Sequence, residues 1–274
     1  DTGTNAIIAT VPVGARPFGV AINPAGTRAY VTNNAAYTVS VIDTTANAVV
    51  ATIPVQAYPL GVAINPAGTR AYVVNGLFVN GVGDSISVID TASNSVIATI
   101  PTGAGTRGIA VNPAGTRIFV SSYIQSLNSY GLLVIDAATN SVLRKVRLSL
   151  VNPPSDVAIN PAGTRVYVTN PNGVTVTDAA TCNSVIATIP VLNGSRLAVS
   201  PAGNRAFVPI SFGNLVAELD TVNNTVLRTV EVGVPGSNPY GIAFSYGVVV
   251  PPVPTPIRIT GIEVTQGIQD LANS

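Results

Sequence analysis

Short apolar runs rich in Val, Ile, Ala and Tyr follow one another along most of the chain, each closed by a cluster of Asn, Asp, Gly, Pro or Thr. Runs of this length with such endings read as β-strands joined by turns, not as helices. The first stretch shows the order: residues 19–23, 29–32, 38–42 and 49–55 predict strands A, B, C and D of one antiparallel unit. Between A and B, Asn23-Pro24-Ala25-Gly26 carries the Pro and Gly of a type I turn. Between C and D, Asp43-Thr44-Thr45-Ala46-Asn47 supplies side chains that reverse the chain by bonding to their own backbone. The runs are apolar at successive positions, so both faces of each sheet are expected to be covered.

This unit recurs. Asn-Pro-Ala-Gly-Thr-Arg stands at 23–28, 65–70, 112–117 and 160–165, with an altered copy at 200–205 and an opening without the turn at 241–245. Successive spacings are 42, 47, 48, 40 and 45 residues. A period of 40 to 48 residues made of short strands is the signature of a β-propeller with one four-stranded blade per repeat. The prediction is an all-β propeller of four-stranded antiparallel blades, six in number, with seven as the alternative. Residues 1–13 repeat the C–D turn and D strand of residues 43–55, so the N-terminal strand is expected to close the ring. Residues 240–245 and 247–250 would supply strands A and B of that shared blade, and 257–264 its strand C.

Ala-Tyr-Val-Thr-Asn at 29–33, Ala-Tyr-Val-Val-Asn at 71–75 and Val-Tyr-Val-Thr-Asn at 166–170 resemble the YVTN β-propeller repeat. The Val-Ile-Asp of 41–43, 88–90 and 134–136 is similar to that family's third strand. The resemblance spans residues 1–250. It implies a secreted or cell-surface location, surface-layer components included, and through related lactonase-like propellers it implies the rival reading of a hydrolase.

Composition narrows the chemistry. Charged residues are 9% of the chain, against about 25% in an ordinary soluble domain, and mean hydropathy is +0.45. No apolar run reaches the roughly 18 residues of a membrane-spanning helix, so the apolar excess belongs to sandwiched blades and no membrane insertion is expected. A net charge of +1 supplies no field for nucleic acid. There is no His, no Met and a single Cys, which excludes a Ser-His-Asp triad, His-ligated metal and an intrachain disulfide. No catalytic residue, metal site or cofactor is expected. Cys182, inserted in a C–D turn, is expected to be exposed and uncatalytic. The cluster Arg144-Lys145-Val146-Arg147 reads as charge protecting an outer edge strand.

The loops divide into two ends. One carries the near-identical A–B and C–D turns, where the Arg opening strand B and the Asp ending strand C are expected to pair across adjacent strands. At the other end the Arg-to-Asp distances are 15, 20, 19, 13 and 15 residues, so blades two and three hold insertions with Phe78, Tyr123 and Tyr130. The D–A loops there hold Arg16, Tyr58, Arg107, Asp156, Arg196 and Tyr240. Together these nine residues are the candidate surface for a protein or glycan, expected to ring the channel mouth. Asp156 among arginines is expected to have a lowered pKa and to be a poor general base.

The functional expectation is a non-enzymatic extracellular or cell-surface module for protein or glycan binding, with self-association in a lattice or filament as a further form. Residues 251–256 read as a Pro-rich linker, and 257–274 as a closing strand or the start of a further β domain.

Overall fold

A strand that is apolar on both faces must be covered on both, and stacking of blade on blade meets that need. The computed structural model describes residues 4, 6–76, 84–103, 105–150, 152–182, 185–233 and 238–244. Blade 1 comprises β1 (Pro17–Ile22), β2 (Arg28–Asn33), β3 (Thr38–Asp43) and β4 (Ala48–Pro54). Blade 2 comprises β5 (Pro59–Ile64), β6 (Arg70–Asn75), β7 (Asp84–Asp90) and β8 (Ser95–Gly103). Blade 3 comprises β9 (Ile109–Val111), β10 (Arg117–Ile124), β11 (Ser129–Asp136) and β12 (Ser141–Leu150). Blade 4 comprises β13 (Asp156–Ile159), β14 (Arg165–Asn170), β15 (Gly173–Asp178) and β16 (Val185–Ile189). Blade 5 comprises β17 (Ala198–Val199), β18 (Arg205–Ile210), β19 (Leu215–Asp220) and β20 (Thr225–Glu231). Each blade is a four-stranded antiparallel meander in chain order, and the described residues form an all-β propeller of five blades.

The repeated residues divide the work of holding blades together. The aromatic at the third position of strand B (Tyr30, Tyr72, Phe119, Tyr167, Phe207) is buried in every blade. The Tyr30 and Tyr167 hydroxyls bond to Thr91 and Thr221 in the next blade's C–D turn. Two positions on, Thr32 Oγ1 donates to Leu60 O at 2.7 Å and Thr169 Oγ1 to Ser195 O at 2.6 Å, each reaching the next blade's inner strand. The following Asn33 and Asn75 turn back to strand C, donating to Ser40 and Ser87 at 2.9 Å.

At the uniform end, Asn23 Oδ1 accepts Thr27 N at 2.8 Å and Arg28 N at 2.9 Å. Asn65, Asn112 and Asn160 make the same pair of bonds. Serine at 200 retains only one of them, from Arg205 N at 3.1 Å. The turn glycine needs its left-handed φ of about +70°, as at Gly115 and Gly163. A Cβ on Gly68, Gly115, Gly163 or Gly203 would also meet the Pro of the preceding blade's turn, at 3.2–3.4 Å. Contact with the neighbour thus explains why this turn varies so little.

The Arg of each turn pairs in register with the expected Asp in all five blades. Its guanidinium mostly goes elsewhere. Arg70 Nη1 donates to Ala137 O at 2.9 Å, Arg117 to Ala180 O at 2.8 Å and Arg165 to Thr221 O at 2.6 Å, each on the next blade's C–D turn. Ion pairs within one blade join Arg28 to Asp43, and Arg205 to Glu218 and Asp220. The Asp residues chiefly cap their own turns: Asp136 Oδ1 accepts Ala138 N and Thr139 N at 3.0 and 2.8 Å, and Asp43, Asp178 and Asp220 do likewise.

Six or seven blades and closure by the N-terminal strand are overturned. Residues 6–13 form no strand, and Ile7 and Ile8 are 90% and 73% exposed. Residues 240–244 form none either; they wedge beside blade 5, with Ser195 Oγ donating to Tyr240 O at 2.9 Å and Phe244 edge-on to Phe207 at 5.4 Å. On the far side of this seam, Gly26 has open space where its four counterparts meet a proline, and Val20 and Ile22 are 57% and 58% exposed. The local likeness of 1–13 to a D strand did not carry a C strand for it to pair with. Residues 247–250 and 257–264, expected as strands B and C of the shared blade, lie outside the described residues.

All five C–D pairs carry a bulge at the same place. The unpaired residue is Val50, Ile97, Leu143, Ile186 or Leu227, and each is exposed on the rim.

Two outcomes follow for stability. Arg165→Ala removes a short charged hydrogen bond between blades and is expected to cost about 1–2 kcal/mol in chemical denaturation, more than Arg28→Ala, whose pair lies within one blade. The carboxyls of Asp43, Asp90, Asp136, Asp178 and Asp220 are held below the usual 3.8, first by backbone N–H groups of their turns. Their contribution is present above the unfolded value of 3.8 and is lost as pH falls through the lower folded values. A melting temperature followed from pH 6 to pH 2 should therefore drop most steeply below pH 4.

Candidate functional site

The innermost strand of each blade, or the residues just before it, brings one residue to the propeller axis, in turn Phe18, Leu60, Arg107, Asp156 and Arg196, and Tyr240 of the wedge joins them. Backbone closeness sets this ring. A Cβ on Gly19 would meet Leu60 O, one on Gly61 would meet Arg107 O, and one on Gly108 would meet Asp156. Residues from different blades then touch across the axis. Arg196 Nη2 donates to Phe18 O at 3.1 Å, and its guanidinium lies 5.0 Å from the Phe18 ring and 5.8 Å from that of Tyr240. Phe18 and Tyr240 meet edge-on at 5.9 Å. Arg107 Nη2 donates to the Tyr240 hydroxyl at 3.1 Å. The axial groups therefore tie blade 1, blade 3 and blade 5 to the wedge at 240–244.

Asp156 lies in the same cluster, its Oδ2 accepting Leu197 N at 3.2 Å. The expected lowering of its pKa is reversed. Burial pushes the carboxyl up, and this outweighs the opposing pull of Arg196, Arg107 and two backbone N–H groups.

Four of the nine sequence candidates are thus brought together: Arg107, Asp156, Arg196 and Tyr240. Arg16 and Tyr58 sit two residues before the axial position, both with left-handed backbone (φ 52° and 56°). Arg16 is exposed, and Tyr58 packs edge-on to Tyr37 at 5.0 Å. Tyr123 and Tyr130 form their own edge-on pair at 5.3 Å, on the extended β10–β11 hairpin away from the axis. Phe78 lies outside the described residues. Sequence reading missed Phe18 and Leu60 because Arg16 and Tyr58 carry the more conspicuous chemistry. Aligning each repeat on the residue before Gly19, Gly61, Gly108 and Gly241 would have found them.

Cys182 is 2% exposed, not exposed as expected, and burial pushes its thiol up to about 11, aided by the Asp178 charge. Its insertion folds inward between blades 3 and 4, into a cluster that includes Phe119, Val134 and Ala179. Among the described residues, no three His, Cys, Asp or Glu side chains gather as a metal site, and no helix is long and apolar enough to cross a membrane.

No family model and no curated protein matches the chain. Solved structures that share its fold include the following two. Hydrazine synthase from Kuenenia stuttgartiensis superposes with a TM-score of 0.76 at 22% identity, over 86% of this chain and 80% of that one. The β-propeller domain of Myceliophteria thermophila Cps50 (Swd1) gives 0.67 at 12% identity, over 82% and 74%. Identities this low carry the β-propeller architecture alone.

The axial chemistry yields two outcomes. Arg196→Ala should lower the melting temperature, whereas Asp156→Asn, which removes a desolvated charge without changing shape, should leave it unchanged or raise it at pH 7. A thiol reagent at pH 8 should leave Cys182 unmodified in the native protein and label it in denaturant; mass spectrometry reads both.

Proposed function

We propose that the chain is a non-enzymatic extracellular or cell-surface binding module of YVTN type, docking a protein or glycan on its variable end. The contrast between the two ends carries this reading. One end consists of near-identical turns whose side chains are engaged with neighbouring blades. The other end differs in every blade and presents Arg16 and the Tyr37–Tyr58 and Tyr123–Tyr130 pairs around an internally braced axis. Aromatic and Arg side chains on a rigid scaffold suit recognition better than chemistry. The exposed apolar residue at each rim bulge, with only 9% charge in the chain, supports lateral assembly as a further form.

One observation favours a hydrolase instead: Asp156 is an axial carboxyl with a raised pKa beside two arginines. Against it, the same oxygen accepts a backbone N–H, and the chain contains no His to share proton transfer.

A glycan array and a panel of esters and lactones, run on one preparation, separate the readings. A binding signal is expected on the array, weakened at least tenfold by Arg16→Ala with Tyr58→Ala and unaffected by Arg117→Ala. Turnover of a lactone that disappears in Asp156→Asn would replace this proposal with the hydrolase.

A further inference from the structure

The cleft between blades 2 and 3 differs from the other clefts between blades because β10 and β11 run to eight residues each, against six or seven in the other blades, and end in a short 3₁₀ turn (Gln125–Leu127). This hairpin overhangs the end of β8. Beneath it is a groove of about 290 Å³ lined by Thr102, Tyr123, Gln125, Ser126, Leu133 and Lys145, with Gly103 and Ile124. That volume is at the small end of ligand pockets, about 300–1,000 Å³.

The walls are held in advance. The Tyr123 hydroxyl donates to Asn128 Oδ1, its ring rests edge-on against Tyr130, and its Cβ presses on Gly105, where an added Cβ would come within 3.0 Å. Gly105 also has a φ of +66°, so this close approach requires glycine. Leu133 supplies an apolar floor and pairs directly with Lys145 across the β11–β12 ladder. That register aims Lys145 toward blade 2, and alternation puts Arg147 on the same face. Neither cation has a carboxylate partner among the described residues, and no Asp or Glu lines the groove. Thr102 is 8% exposed, and its Oγ1 has no hydrogen-bond partner among the described residues.

We propose that this groove binds a carboxylated monosaccharide unit, of the uronic-acid class. The Tyr123 ring takes the C–H face of the sugar, Gln125 and Ser126 bond its hydroxyls, and Lys145 holds the carboxylate, with the Thr102 hydroxyl as a further partner in the wall. A single cation in the lining, Lys145, beside several neutral hydrogen-bonding groups and an aromatic ring fits one charge on a polyhydroxylated ring better than a run of acidic side chains. The site lies off the axis and contains neither Arg16 nor Tyr58, but it shares Tyr123 with the variable end and so rests on the proposed binding role of that end as one subsite of it.

The test is titration of the whole chain with D-glucuronate, D-glucose and a short oligoglutamate, read by NMR shifts of backbone amides and by calorimetry. Glucuronate is expected to bind in the millimolar range, with shifts at residues 102–103 and 123–126, and glucose at least tenfold more weakly. Lys145→Gln, at an exposed position that does not threaten folding, should weaken glucuronate about tenfold, and Thr102→Val should weaken it less. Arg16→Ala with Tyr58→Ala should leave it unchanged. Equal binding of glucose and glucuronate, shifts away from the groove, indifference to Lys145→Gln, no binding, or binding of oligoglutamate in preference to glucuronate would each overturn the assignment.

Discussion

The structure depends on the close approach of each innermost strand to the next. Gly19, Gly61 and Gly108 let one backbone lie against its neighbour with no room for a side chain. Everything else follows from that spacing. Blades that close at the centre present two apolar faces to one another, and strand-B aromatics fill the space between them. Each fully buried aromatic or aliphatic side chain stabilises by about 1.5–3 kcal/mol relative to exposure, which accounts for a chain so apolar and so short of charge.

Within that frame, polar residues act mainly between blades. The Tyr, Thr and Arg of the repeat each reach the following blade, by hydroxyl, hydroxyl and guanidinium. A repeat built this way is directional: blade n holds blade n+1. The last blade has no follower among the described residues, and its Arg205 folds back on Glu218 and Asp220. The first has no predecessor among the described residues, and Val20, Ile22 and Gly26 stand open. The seam between them is bridged at the axis by Arg196, Phe18 and Tyr240, where one guanidinium serves a carbonyl and two rings together.

This arrangement also separates stability from recognition. The turns that lock blades together lie at one end and tolerate little change, because each touches its neighbour. The loops at the other end carry less of that duty, through the axis and a few bonds such as Asn34 Nδ2 to Pro59 O at 3.2 Å. An insertion there lengthens a hairpin without disturbing the stack, and the overhang of β10–β11 creates a groove that a shorter hairpin would leave flat.

Strand order, blade membership, the Asn-Pro-Ala-Gly turn and the register of Arg against Asp were legible in the chain alone, because each depends on contacts within one repeat. Local likeness could equally match residues 1–13 to a C–D turn and D strand. It could not supply the partner strand that would make them part of a blade, so the blade number came out wrong. The destination of Arg70, Arg117 and Arg165, the inward burial of Cys182, and the raised pKa of Asp156 were likewise outside its reach. Each is decided by what a neighbouring blade places beside the side chain: a carbonyl, an apolar cluster, or an axis where desolvation outweighs two positive charges. Sequence periodicity determines the repeat; the packing of one repeat on another decides how many there are and which side chains remain for function.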